Sequence, residues 1–128
     1  MLNKSLQELC FAIKLCDAIS DATVFFQPSY LENSPNSVCE AQILGVPVVA
    51  TNVGGTASLI KEGETGFLVP TNDPYTAAYH IVKIHDDTSL NHHIGLQSQI
   101  VALKRHNKNE IVTSLVKTYH DIIETSAH

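Results

Sequence analysis

The sequence predicts an α/β fold in which a small parallel sheet of about three strands is flanked by helices. Three nearly continuous apolar runs rich in β-formers support this: residues 22–27 (ATVFFQ), 46–51 (VPVVAT) and 67–69 (FLV). Unbroken apolar runs of that length are typical of strands covered on both faces, as in parallel sheets. Helical patterns stand between them, so the order is strand, helix, strand, helix, strand.

The elements follow in order. Leu2, Leu6, Leu9, Ile13 and Cys16 recur at helical spacing, and Glu8 and Lys14 interrupt the apolar stretch, so an amphipathic helix is expected rather than a leader peptide. After the first strand, Ser34 is expected as a helix N-cap with Pro35 at the first helical position, and Gly45 followed by Pro47 closes that helix. Gly54-Gly55 follows the second strand, and Thr56 is a suitable N-cap for a helix over 57–62. A glycine turn over 63–66 leads into the third strand.

Asp73-Pro74 opens a further helix whose expected apolar face is Ala77, Ala78, Ile81, Val82 and His85, ending at Asp86-Asp87. Another helix carries Leu90, Ile94, Ile100 and Leu103. Residues 105–110 are polar and break the pattern. Ile111, Val112, Leu115, Val116, Tyr119, Ile122 and Ile123 then form the clearest stripe in the chain. Residues 1–128 therefore read as one domain, with an α/β part over 1–104 and a C-terminal helix over 105–128. Three strands are few for a doubly wound sheet, so an upstream portion is expected to be missing. The strand at 22–27 would then have an open edge through which the chain could self-associate.

Composition excludes several function classes. The 128 residues carry a formal charge of -5, and no basic run is longer than Lys104-Arg105, so nucleic acid is not expected as a partner. Cys10, Cys16 and Cys39 are odd in number and contain no C-x-x-C pair, which argues against a disulfide framework or zinc site and suits a reducing cytoplasm. No apolar run is long enough to span a bilayer. His92-His93 are adjacent and His80 and His85 are five apart, neither being good metal-ligand spacing, so no metal or other cofactor is expected. Tyr75, Tyr79 and Tyr119 suit helical packing faces better than a stacking platform.

The segment that bears on chemistry is ENSPNSVCE, in which Glu32 and Glu40 are separated by seven residues. Glu32 falls in the loop after a strand and Glu40 inside the next helix. Between them the helix N-terminus presents the free N–H groups of Asn36 and Ser37. A carboxylate accepts two hydrogen bonds from a vicinal diol, and a helix N-terminus favours a phosphate, so a nucleotide sugar offers partners for both. On spacing alone the signal is weak, because pairs of glutamates eight apart occur by chance and most surface glutamates are merely solvated.

The string PSYLENSPNSVCEAQILGVPVVATNVGGTASLIKEGETGFLVPTNDP resembles the C-terminal half of group 1 (family 4) retaining glycosyltransferases. The match combines the E-x7-E pair, Ala41, Gly45 with Pro47, Gly54-Gly55, and the Gly63 to Gly66 turn before FLVP. The resemblance implies half of one Rossmann-like domain of a two-domain GT-B fold, with a UDP- or GDP-sugar as donor. The acceptor, a glycan or lipid-linked sugar, would be held by an N-terminal domain that this chain lacks. Glu32 would be the catalytic carboxylate beside the donor sugar, and Glu40 would hold the ribose hydroxyls. Asn33, Asn36, Ser37 and Val38 would contact sugar and phosphate, and Gly54 and Gly55 would let the backbone approach the ligand. A cytoplasmic enzyme, peripheral at the inner face of the membrane when full-length, is the expected setting.

Two departures from the family pattern stand out. Pro35 has no N–H to offer the sugar. The basic pair that neutralises the donor diphosphate has no counterpart, since Lys4 and Lys14 sit on the first helix and match nothing in that motif. Two other functions compete with sugar transfer: a non-catalytic nucleotide-binding or assembly fragment, and a glycoside hydrolase. The last would need the two glutamates to flank a glycosidic bond, whereas a loop residue and a helix residue more naturally line one side of a ligand.

Overall fold

The structure, a computed structural model, describes residues 4–126. The elements are α1 (Lys4–Ser20), β1 (Phe25–Gln27), α2 (Asn36–Ile43), β2 (Val48–Thr51), α3 (Thr56–Leu59), β3 (Phe67–Val69), α4 (Pro74–Asp86), α5 (Thr88–Arg105) and α6 (Lys108–Ser126). The strands form one parallel sheet in the order β1-β2-β3, with Phe25 beside Val48 and Val49 beside Phe67. The expected α/β fold of three parallel strands with flanking helices is therefore present.

β2 is the centre of the sheet, and all four of its residues are buried. Its side chains alternate between faces, as the strand period requires. Val48 and Ala50 join Val38, Ala41 and Ile60 in one core, while Val49 joins Phe67, Ala77, Ile84 and Ile94 in the other. Burying each such Val or Ile side chain stabilises the fold by about 1.5–3 kcal/mol.

β1 departs from the expectation. Only Phe25–Gln27 pair, and Phe26 is 40% exposed, so the run over 22–27 is not covered on both faces. The cause is positional: α4 lies over β2 and β3, leaving the outer strand bare on that side. β1 also has an open edge, as expected, though nothing in the structure shows self-association through it.

Several helix details are corrected. Pro35 occupies the N-cap position of α2, with extended backbone and no side-chain cap, so Ser34 is not the cap and Pro35 is not the first helical residue. Thr56 begins α3 instead of capping it, and the helix ends at Leu59, short of the expected residue 62. Asp73 behaves as expected, its carboxylate accepting from the Thr76 N–H at 3.0 Å with Pro74 in the first turn of α4.

On α4 the buried residues are Ala77 and Ile84, with Ile81 half-buried, while Ala78, Val82 and His85 are exposed. The real stripe follows 77, 81 and 84, rotated from the expected one. On α5 the buried residues are Ile94, Gly95, Ser98 and Ala102, whereas Ile100 and Leu103 face outward. α5 packs through small residues because it lies tightly on α2. Tyr75, Tyr79 and Tyr119 are all exposed and pack no core.

α1 and α6 are helices, as expected, but stand off the core. Only Ile19 of α1 is buried; Leu6, Leu9, Ile13 and Cys16 are exposed, and Leu2 lies outside the described residues. The α6 stripe is exposed along its whole length.

His80 stacks on Phe67 with ring centroids 4.2 Å apart, tying α4 to β3. Burial holds its pKa below the usual 6.5, opposed by the nearby Glu62 carboxylate and reinforced by Lys83. The unfolded chain therefore takes up this proton more readily than the folded one. Stability is fully present above about 6.5 and is lost as pH falls towards the folded-state pKa. Thermal unfolding across this range is expected to show a falling midpoint on acidification, and His80→Phe, which keeps the stack without the proton, is expected to flatten that slope.

Candidate functional site

At the carboxyl end of the sheet, the position where open α/β sheets bind ligands, β1 ends in Gln27. Its side-chain amide organises the loop that follows. Gln27 Nε2 donates to Glu32 Oε1, Ser29 Oγ donates to the same oxygen at 2.9 Å, and Ser37 Oγ of α2 donates to Gln27 Oε1 at 3.0 Å. Thr51, at the end of β2, donates its hydroxyl to the Ser29 carbonyl at 2.5 Å and so pins the loop to the central strand. Glu32 is thus half-buried and oriented through Oε1, while no partner for its Oε2 stands among the described residues. That oxygen remains able to accept from a ligand hydroxyl.

Gly54 and Gly55 press on the backbone of this same loop. A Cβ at Gly54 would stand 1.7 Å from the Glu32 carbonyl oxygen, and one at Gly55 would stand 2.1 Å from that of Asn33. Gly55 N–H donates to the Asn33 carbonyl at 2.9 Å. The close approach these glycines permit is therefore to the protein's own chain, and it fixes the positions of Glu32 and Asn33.

α2 sorts its residues by side. Val38, Cys39, Ala41 and Gln42 are buried, while Glu40 points to solvent from the opposite side, with Asn36 exposed near it. Ser37 lies three residues before Glu40, on a neighbouring part of the surface. Val38 is fully buried, so toward a ligand it offers only its backbone N–H in the first turn. The structure thus joins Glu32 to Ser37 through Gln27, and Asn33 to Gly55. Glu40 joins no side-chain bond among the described residues.

Beside this network, sharing Ser29 and Thr51 with it, a groove of about 540 Å³ lies between the strand ends and α4. Phe26, Pro28, Pro70 and Ile81 line it, and the Tyr30 hydroxyl donates to Asn72 Oδ1 at 2.5 Å. Among the described residues no group of three or more His, Cys, Asp or Glu could hold a metal ion, and no helix is long and apolar enough to cross a membrane.

Residues 12–100 match the family described as glycosyl transferases group 1. The chain belongs to that family. Among its group 1 relatives, the capsular polysaccharide biosynthesis glycosyltransferase CapM of Staphylococcus aureus is 33% identical over 107 residues, covering 84% of this chain and 28% of CapM. A D-inositol 3-phosphate glycosyltransferase of Streptomyces avermitilis is 38% identical over 82 residues, 64% of this chain and 18% of that enzyme. Among solved structures, Anabaena HepE in complex with UDP superposes with a TM-score of 0.75 at 25% identity, over 81% of this chain and 29% of HepE. Sucrose-phosphate synthase of Thermosynechococcus elongatus gives 0.76 at 28% identity, over 88% of this chain and 28% of the synthase. The chain spans less than a third of each of these group 1 relatives and structural neighbours.

Sequence reasoning missed the residues that hold Glu32 and its loop: Gln27, Ser29 and Thr51. One signal was available, a single polar residue closing the apolar run ATVFFQ at the carboxyl end of a parallel strand.

Proposed function

We propose that this chain forms the donor-gripping part of a glycosyltransferase that uses a nucleotide sugar, with UDP the favoured nucleotide. The observation that carries the reading is the oriented Glu32 carboxylate, with one oxygen held by Gln27 and Ser29 and the other open, beside the N-terminus of α2. In this reading Glu32 stands by the donor sugar and stabilises charge developing at the anomeric carbon as the diphosphate leaves. Glu40 accepts from the ribose hydroxyls. The N–H groups of Asn36, Ser37 and Val38 face sugar and phosphate, and Asn33 adds a polar contact from the loop. Gly54 and Gly55 serve by holding that loop in place. The UDP bound by HepE supports the choice of base.

The complete reaction would transfer the sugar with retention to a glycan or lipid-linked acceptor held by a further domain. Polysaccharide assembly, the role named for CapM, is the proposed setting. The three free cysteines suit a reducing compartment, so the cytoplasm is the proposed location. A second reading, a nucleotide-binding or assembly module, is favoured by the exposed apolar stripes of α1 and α6, which offer surfaces to a partner.

Calorimetric titration with UDP, GDP, ADP and their sugar conjugates tests both. UDP is expected to bind, and Glu40→Ala to weaken it by about 1–3 kcal/mol through loss of charge-assisted bonds to the ribose. Unchanged affinity in Glu40→Ala would remove the ribose role. Absence of binding by the folded chain would leave only the assembly reading.

A further inference from the structure

α5 holds α2 along its length. Gly95 lies against the Gly45 carbonyl just past the end of α2, Gln99 Nε2 donates to the Ile43 carbonyl at 2.8 Å, and Arg105 reaches the buried side of the helix. There the Arg105 guanidinium donates through Nη2 to Gln42 Oε1 at 2.6 Å and touches Cys39 Sγ at 3.8 Å. Gln42, only 1% exposed, donates its own Nε2 to the Leu59 carbonyl at 2.9 Å. One polar knot therefore joins α2, the end of α3 and the end of α5. Arg105 lies beyond the stretch matched to the family.

We propose that Arg105 is a positioning residue for the donor site, fixing the roll of α2 about its axis and hence the direction of Glu40. The proposal rests on the reading of Glu40 as the ribose-binding carboxylate. Its physical basis is the difference between apolar and polar contacts. Val38 and Ala41 bury α2 on the sheet, but apolar burial is non-directional and tolerates a small rotation. The bonds of Gln42 are directional and do not. With a side chain about 6 Å from the helix axis, a roll of about 20° moves the Glu40 carboxylate by about 2 Å. That exceeds the tolerance of a hydrogen bond to a ribose hydroxyl. Without Arg105, the buried Gln42 Oε1 loses its donor, and rolling toward water is the way α2 can satisfy it.

The test uses the chain with Cys10→Ser and Cys16→Ser, which leaves Cys39 as the reporter thiol. UDP affinity is measured by calorimetry, and Cys39 alkylation by iodoacetamide is followed without nucleotide. Arg105→Met is expected to weaken UDP by about tenfold while the chain stays folded, and Arg105→Lys to recover most of that loss. In a Glu40→Ala background Arg105→Met is expected to add little, because the α2 N–H groups lie near the helix axis and a roll moves them far less than it moves the Glu40 carboxylate. Alkylation of Cys39 is expected to speed up severalfold in Arg105→Met. Equal weakening with and without Glu40 would reduce Arg105 to a stabilising residue and overturn the proposal, as would an unchanged alkylation rate. If the parent chain binds no UDP, the donor reading falls and the proposed role of Arg105 falls with it. Faster alkylation would still identify Arg105 as the anchor of α2, so the two failures are told apart.

Discussion

Gly54→Ala is expected to lower stability by about 4 kcal/mol and to abolish nucleotide binding, the largest effect of any single methyl group in this chain. Two terms add. Gly54 has φ +50, a conformation that costs an L-residue roughly 1–2 kcal/mol. The new Cβ would also stand 1.7 Å from the Glu32 carbonyl oxygen and 2.7 Å from its carbon, and these are backbone atoms with no rotamer to escape into. The loops after β1 and β2 must separate, which breaks the Gly55 to Asn33 bond and releases Glu32 from its setting. Gly63→Ala is the matched control: its φ is +73, but a Cβ there meets nothing within 4 Å, so only the conformational cost of about 1–2 kcal/mol remains. Urea unfolding of the two variants separates strain from collision. If Gly54→Ala proves no more damaging than Gly63→Ala, the loops are not in rigid contact and Glu32 is not held by them.

Gly95→Ala is the second. A glycine inside a helix ordinarily invites replacement, since alanine gains about 1 kcal/mol in helix propensity. Here that gain is outweighed. The added Cβ would stand 2.3 Å from the Gly45 carbonyl oxygen, and Gly45 is itself held at φ +75 by the turn that ends α2. α5 must lift away from α2, straining the Gln99 bond and loosening contacts around Ile94. A net loss of about 3 kcal/mol is expected, at the upper end for an overpacked contact. Chemical denaturation measures it, and a stabilised Gly95→Ala chain would mean that the two helices are not in contact at this point.

Most of the architecture could be read from local patterns. The three strand runs, the turn at Gly45 and Pro47, and the cap at Asp73 are encoded by neighbours in sequence, and all are found. The stretch from Pro28 to Pro74 was also enough to suggest the family. Which side of each outer helix meets the protein was not legible in the same way. Periodicity marks Ile100 and Leu103 as apolar, yet α5 turns Gly95, Ser98 and Ala102 inward, because close approach to α2 selects for small residues. The support around Glu32 and Glu40 was hidden for a related reason. Gln27 with Glu32 is a loop contact, and Arg105 reaches Gln42 from 63 residues away, a distance over which no spacing rule operates. The site's charged tips were visible in the sequence, and the groups that aim them emerge only once the chain has folded.

The all-parallel sheet has a kinetic consequence. Among the described strands no neighbours are joined as a hairpin, because parallel neighbours must be joined by crossovers that carry α2 or α3 from one strand to the next. Pairing Phe25 with Val48, and Val49 with Phe67, requires loops to close before any ladder bond repays their entropy. During synthesis β2 can meet β1 as soon as it has followed α2 out, but its other side must wait for β3, which comes after α3 at ribosomal speed. In that interval one edge of the central strand, the only one buried at every described residue, lies bare, and the nascent chain is then most open to capture by a chaperone or by another copy of itself.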